Sequence, residues 1–249
     1  MTLIKLEYNT AVQTDKVAAE IPYAVIERST HPTIPWDKAR TEMPVEKWAD
    51  LSDQDSGIAL LNFGKYGFSL TPDGAGFRIS IVKSARYPTP AFEAKKVNMV
   101  SVVLPNPDTE FGPHWAHTAL FPHKGGWAEG KVYKTAYEYN TPVVIVGADS
   151  HKGDLPKEAG LISIESDSAI IAEVKKAEDD GSVIVRVVES EGKDTSATLK
   201  VNPNFKIANA WETNLLELEP KALKFDKQSV NFPVGHFAIL TVKLRIAPK

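Results

Sequence analysis

The feature that most constrains the fold is a hydrophobic period of two residues that recurs along the chain. It is most regular at residues 240–246, and it also occurs at residues 77–82 and 21–26. Successive side chains of a β-strand point to opposite faces, so this alternation is typical of strands with one buried face. No strand–helix–strand alternation accompanies it, which disfavours a parallel α/β fold or barrel. The sequence therefore predicts an all-β protein.

Shorter segments add detail to that prediction. Two β-branched runs, residues 143–146 and 183–188, predict strands that are covered on both faces. The helical signal is thin and is confined to residues 44–51, which begin at Pro44, and residues 128–139. In the second half, turn residues recur at the spacing of hairpins, which is typical of a β-sandwich.

A polar segment at residues 149–156 that carries Gly and Pro is the best candidate for a domain boundary. A chain of 249 residues is long enough to bury two separate cores. We therefore predict a β-domain at residues 1–150 and a C-terminal β-sandwich at residues 155–249.

Composition excludes several classes of function. The chain has no cysteine, which removes disulfides, thiolate metal sites and a cysteine nucleophile. Its net charge of −3 gives no basis for binding nucleic acid or an anionic membrane. No apolar run approaches the ~20 residues of a membrane span, and no signal peptide is visible at the N-terminus. We expect a cytoplasmic location.

Residues 26–40 are too polar for a buried strand and too rich in proline and aromatic residues for a helix, so we expect a loop whose surface holds a polar ligand or partner. Its candidate binding residues are Arg28, His31, Trp36, Asp37 and Arg40. A tryptophan can stack on a pyranose ring while Arg and Asp bind hydroxyl groups, so these residues could line a sugar subsite or a protein interface. The alternative is a loop whose charges pair with one another and fix its shape.

A second candidate is the turn at residues 62–67. Asn62, Lys65 and Tyr66 could hydrogen-bond sugar hydroxyls, or they could serve a turn that Gly64 and Gly67 make possible.

Three histidines, His114, His117 and His123, are the nearest approach to a metal cluster. In an extended segment His114 and His117 point to opposite faces, and His123 lies too far from His117 to share a metal without a turn. Packing imidazoles that hydrogen-bond to the backbone are therefore the favoured interpretation, and we predict no metal site.

A family resemblance covers nearly the whole chain. It begins with the pattern Glu-Arg-x-Thr-His…Trp-Asp-x-Ala-Arg within residues 27–40. Further segments follow in order: Trp-Ala-Asp-Leu-Ser at 48–52, Gly-Ile-Ala-Leu-Leu-Asn at 57–62, Lys-Tyr-Gly at 65–67, Arg-Ile-Ser-Ile-Val-Lys-Ser at 78–84, Pro-Thr-Pro at 88–90, His-Thr-Ala-Leu-Phe-Pro-His at 117–123, Ala-Tyr-Glu-Tyr-Asn-Thr-Pro at 136–142, Val-Lys-Lys-Ala-Glu-Asp at 174–179 and Arg-Val-Val-Glu at 186–189. Together they resemble the α-mannosidases of glycoside hydrolase family 38.

The resemblance implies an enzyme of several parts. A (β/α)₇ barrel holds zinc and an aspartate nucleophile, a helical bundle follows, and two β-domains complete the chain. This sequence resembles only the last part: the second half of a galactose-mutarotase-like supersandwich, then a terminal β-sandwich. It has no His-x-Asp zinc motif and no counterpart of the nucleophile segment. A retaining glycosidase needs two carboxyl groups about 5–5.5 Å apart, so we expect no catalytic residue and no cofactor here, with zinc in the missing catalytic domain.

Half of a supersandwich should have unpaired strand edges and an uncovered apolar face, which invite association. We therefore expect a catalytic N-terminal portion as partner, or self-association, and mannose-containing glycans as the substrates of the whole enzyme. One alternative is a stand-alone carbohydrate-binding module, with Trp36, Trp115 or Trp127 as its aromatic platform. A weaker one is a mutarotase-like epimerase, with one of the three histidines and Glu110 as base and acid.

Overall fold

A computed structural model describes residues 2–84, 113–150, 152–153 and 156–249. These residues form an all-β protein, as predicted, with two short helices. In chain order the elements are β1 (Thr2–Asn9), β2 (Lys16–Ile21), β3 (Ala24–Ser29), α1 (Pro35–Lys38), β4 (Met43–Pro44), β5 (Trp48–Ser52), β6 (Ser56–Phe63), β7 (Gly67–Leu70), β8 (Gly76–Ser84), β9 (His117–Lys124), α2 (Val132–Asn140), β10 (Ile162–Glu165), β11 (Ala169–Lys176), β12 (Val183–Glu189), β13 (Thr195–Val201), β14 (Phe205–Thr213), β15 (Lys221–Ala222), β16 (Ser229–Val234) and β17 (Ile239–Pro248).

The chain divides into two compact units. The first comprises Met1–Ile21 and Ile26–Pro142, and the second comprises Pro22–Val25 and Val143–Lys249. The predicted domain ranges, 1–150 and 155–249, stay a prediction, and residues 151, 154 and 155 of the predicted boundary lie outside the described residues.

The first unit contains two antiparallel sheets. Their strand orders are β1-β8-β7-β4 and β3-β2-β5-β6-β9. Its core contains Val17, Leu51 and Leu60 from the second sheet together with Phe68 and Phe77 from the first. The predicted alternation at residues 77–82 is confirmed in β8, whose apolar side chains pack into this core. At residues 21–26, in contrast, a turn separates β2 from β3 where one strand was expected.

The second unit is a sandwich of a three-stranded sheet, β10-β13-β16, and a five-stranded sheet, β11-β12-β17-β14-β15. Val185 and Leu244 from the larger sheet and Leu199 and Phe232 from the smaller one belong to a single buried cluster. The strands predicted at residues 183–188 and 240–246 are confirmed as β12 and β17, which pair directly.

Three local predictions need correction. Residues 44–51 form no helix; Trp48 begins strand β5, in which four consecutive side chains are buried. Residues 143–146 form no strand, and their side chains are 80–91% exposed. The predicted helix at 128–139 exists as α2 but begins only at Val132, because Lys131 adopts a left-handed conformation with φ of 52°. Neither helix among the described residues is long and apolar enough to cross a membrane.

Candidate functional site

A cavity of about 660 Å³ opens in the first unit beside the loop that follows β3. Residues 26–30 line one side, and residues 69–72 with Arg78 line another. Of the predicted binding residues, the structure brings Arg28, Asp37 and Arg40 together around this cavity.

The loop has a defined shape because its polar groups are paired locally. The Thr30 hydroxyl donates a 2.5 Å hydrogen bond to the Thr14 carbonyl, and the Thr30 amide donates to the Asp15 carbonyl at 3.0 Å. The sequence predicted a loop throughout residues 26–40, but residues 26–29 belong to β3 and Pro35 begins the single-turn helix α1, since its fixed φ suits a first helical position. The loop packs on Gly74, whose φ of +75° and close approach to Thr30 disfavour any larger residue there.

Charge pairing inside the cavity is incomplete. Arg40 pairs with Asp37 at 3.3 Å, which agrees with the alternative of a loop that fixes its own shape. Arg28 is half-buried and forms no ion pair with any described residue. Burial, and secondarily the positive charge of Arg40, lower the pKa of Arg28. Among the described residues that line the cavity, Arg28 is thus a half-buried arginine with no carboxylate partner.

The tryptophans and His31 lie in other surroundings. His31 is exposed, and its Nδ1 lies 2.9 Å from the Thr30 hydroxyl. Trp36 is 78% exposed and Trp115 is 79% exposed. Trp127 packs against buried Trp48, with ring centroids 5.3 Å apart. Two of the three candidate platform residues are thus available to a ligand, and Trp127 has a packing role.

Asn62 organises its turn from within the core. It is fully buried. Its side-chain amide donates to the carbonyls of Glu46, at 2.9 Å, and Lys65, and its side-chain oxygen accepts from the Lys65 amide at 3.2 Å. This arrangement matches the turn alternative for Asn62, which does not face solvent. Lys65 is half-buried, and Tyr66 is 62% exposed and lines a second cavity, of about 480 Å³.

The three histidines do not meet. His114 and His117 are exposed. His123 lies in the interior, where its Nε2 donates a 2.7 Å hydrogen bond to the Asp50 carboxylate. Among the described residues no three His, Cys, Asp or Glu side chains converge on a possible metal position. Glu110, the proposed partner of a histidine in epimerase chemistry, lies outside the described residues.

The His123–Asp50 pair is the polar feature that sequence reasoning missed. Burial alone would lower the pKa of His123, but the hydrogen bond and charge of Asp50 outweigh that effect and raise it. Gly57 and Gly130 pack so closely on the ring that a Cβ at either position would overlap it. The one sequence signal was Asp50, an aspartate inside the apolar segment 48–51. His123 is 73 residues away, so no local pattern connects the two.

Two sequence profiles match the chain in order. One is the glycosyl hydrolases family 38 C-terminal domain, over residues 1–91, and the other is the glycosyl hydrolases family 38 C-terminal beta sandwich domain, over residues 168–242. The second match lies within the sandwich unit described above.

Several curated relatives are α-mannosidases. Alpha-mannosidase G of Dictyostelium discoideum is 31% identical over 227 residues, 90% of this chain and 19% of the relative. The Saccharomyces cerevisiae alpha-mannosidase is 29% identical over 82% of this chain and 18% of the relative. Human alpha-mannosidase 2C1 is 26% identical over 98% of this chain and 22% of the relative. The chain spans about a fifth of the length of these relatives.

Solved structures give the same fold. The crystal structure of an alpha-mannosidase from Enterococcus faecalis V583 superposes with a TM-score of 0.72 at 18% identity, over 98% of this chain and 26% of that one. A glycosyl hydrolase family 38 protein from Enterococcus faecalis gives a TM-score of 0.69 at 18% identity, with the same coverage. At this identity the similarity establishes the fold alone.

Proposed function

This chain is a C-terminal β-domain region of glycoside hydrolase family 38, and from that premise we propose that it completes a zinc-dependent, retaining α-mannosidase without carrying its catalytic residues. The proposal rests on the extent of the alignment. Nearly all of this chain aligns with α-mannosidases, yet the aligned part is about a fifth of the length of each of them. Its role is to support the catalytic barrel and to border the cleft that binds mannose-containing glycans. The expected site of action is the cytoplasm.

Exposed apolar surface supports a missing partner. The four side chains of residues 143–146 are 80–91% exposed, although all are β-branched and apolar. Among the described strands, β1 lies at the edge of its sheet, and it exposes Ile4 at 54% and Leu6 at 42%. Contiguous apolar surface and an open strand edge both favour protein association. We assign these surfaces to the catalytic portion and place exposed Trp36 and Tyr66 at the border of its cleft.

Zinc does not fit the residues described here, because no cluster of suitable ligands exists among them. The proposed zinc, and with it every step of glycoside cleavage, belongs to the catalytic portion. This chain contributes surface and support.

Activity should therefore depend on mixing. The chain alone, assayed with an aryl α-mannoside and zinc, should show no hydrolysis. Addition of the catalytic N-terminal portion of a family 38 enzyme from the same source should produce hydrolysis that saturates with increasing chain. If adding this chain leaves the activity of the catalytic portion unchanged, the proposal is refuted. Glycan binding without any effect on hydrolysis would instead favour a carbohydrate-binding module that uses Trp36 or Trp115.

A charge placed in the exposed apolar run should weaken that association. Ile145 is 91% exposed, so Ile145→Asp should change the unfolding free energy of the isolated chain by less than ~0.5 kcal/mol. In the complex the new carboxylate would be desolvated, and we expect at least tenfold weaker binding of the catalytic portion, measured by titration of restored activity. Ile145→Leu is the matched control and should bind normally. Equal binding by both variants would exclude residues 143–146 from the interface.

A further inference from the structure

The charges that line the 660 Å³ cavity of the first unit do not balance. Three arginines and two acids line it: Glu27, Arg28, Asp37, Arg40 and Arg78. Four of the five have ion-pair partners: Glu27 with Lys16 at 2.9 Å, Asp37 with Arg40 at 3.3 Å and Arg78 with Glu7 at 2.6 Å. Arg28 is the exception, since no carboxylate in the described ranges pairs with it.

An unpaired guanidinium is unusual when it is half-buried. Withdrawing a charge from water is unfavourable unless an opposite charge or hydrogen bonds replace the lost hydration. Arg28 has five N–H donors. None of them donates to an acceptor within the described part of the chain, and none is a fully buried atom, so the guanidinium is open to a ligand. The like charge of Arg40 nearby adds repulsion, which an anion between the two guanidinium groups would relieve.

The cavity also offers a neutral donor. Ser69 lines it, and the Ser69 oxygen accepts a 2.9 Å hydrogen bond from Lys5. Its own hydroxyl proton has no acceptor among the residues described, so it can donate to a ligand. A volume of about 660 Å³ is in the range of small-molecule sites and suits a ligand the size of a sugar.

We propose that this cavity binds a small oxyanion, the phosphate or carboxylate group of a sugar-sized molecule. Arg28 binds two oxygens of that group through its planar fork, which is the geometry that guanidinium groups provide for such anions. Arg40 supplies a second positive charge, and Ser69 donates to a third oxygen. The inference depends on the charges and volume of the cavity and is independent of the proposed role in α-mannoside hydrolysis.

Calorimetric titration of the isolated chain in a phosphate-free buffer tests this site. Inorganic phosphate, glucuronate and neutral mannose are the three probes. We expect phosphate, glucuronate or both to bind, with an affinity that falls as salt is added. The ratio of the two affinities identifies which oxyanion the site prefers. Absence of binding by both anions at 10 mM, or equal binding of neutral mannose, would overturn the proposal.

Variants locate the site. Arg28→Gln should weaken anion binding at least tenfold, whereas Arg245→Gln, on the second unit, should leave it unchanged. Arg28→Lys retains the charge without the fork and should bind more weakly than the native chain but more tightly than Arg28→Gln. Arg40→Gln should weaken binding by a smaller factor, and it provides the decisive comparison if Arg28→Gln does not fold. Native affinity in either the Arg28→Gln or the Arg40→Gln variant would contradict the assignment, and circular dichroism checks that each variant is folded.

Discussion

Replacement of His123 by alanine should lower the unfolding free energy of the first unit by about 3–5 kcal/mol, because it leaves Asp50 buried without its partner. Both side chains are at most 3% exposed. The second carboxylate oxygen of Asp50 has no hydrogen-bond partner within the described residues, so nothing else there would compensate. Hydrogen exchange as a function of urea concentration measures this loss. Mass spectrometry of peptides from each unit gives the stability of the first unit separately.

His117→Ala is the matched control, since His117 is on the same strand, β9, but is exposed. It should change stability by less than ~0.5 kcal/mol. If both alanine variants lost equal stability, the buried pair would not be the source.

The same pair gives the first unit a pH dependence of defined sign. The pKa of His123 is raised in the folded protein, so the folded state binds this proton more tightly than the unfolded state does. The contribution to stability is complete below the ordinary histidine pKa, and it decreases as pH rises through the raised folded value. His123→Gln, which does not titrate, should remove this decrease from the stability profile.

Replacement of Glu189 by glutamine should destabilise the second unit by about 3 kcal/mol. Glu189 is fully buried, and its carboxylate accepts backbone N–H groups from Glu191 at 2.9 Å, Gly192 at 2.8 Å, Lys193 at 3.2 Å and Phe237 at 2.9 Å. Through these hydrogen bonds Glu189 connects the turn after β12 with the segment before β17. A glutamine would direct an NH₂ group at backbone donors and remove the charge that strengthens these bonds.

The pH dependence here has the opposite sign. Burial would raise the pKa of Glu189, but the backbone donors, led by Phe237, outweigh burial and lower it. Its contribution is complete above the ordinary glutamate pKa and is lost as pH falls through the lowered folded value. Glu165→Gln is the control, because Glu165 is 62% exposed and its pair with Lys200 should contribute under ~1 kcal/mol. Equal losses in the two variants, in the same exchange measurement, would contradict the role of Glu189.

The fold class was predictable because half-buried strands such as β8 and β17 show their burial directly as alternation. The errors arose where the presence or absence of neighbouring strands, which local alternation does not report, decided the structure. Strand β5 lies between β2 and β6 and is buried on both faces, so residues 48–51 show no period of two. Residues 143–146 have strand propensity but no neighbouring strand in the described structure to pair with.

Only those residues of the candidate site that are close together in the sequence were predictable. Arg28 lies in β3, Asp37 in α1 and Arg40 shortly after α1, so all three belong to one short segment of the chain and sequence proximity brought them together. Ser69 and Arg78 reach the same cavity from β7 and β8, and no local pattern connects those strands with the loop. Asn62 was predicted as a possible sugar ligand because it is polar and lies beside a glycine turn. Its side-chain amide instead forms hydrogen bonds with the backbone inside the core.

We propose that this chain completes an α-mannosidase, and size-exclusion chromatography with light scattering is the first test of that proposal. The chain is run alone and then mixed with the catalytic portion from the same source, and every peak is assayed with an aryl α-mannoside and zinc. We expect a stoichiometric complex that contains all the activity. A monodisperse monomer that neither joins the catalytic portion nor alters its activity would contradict it.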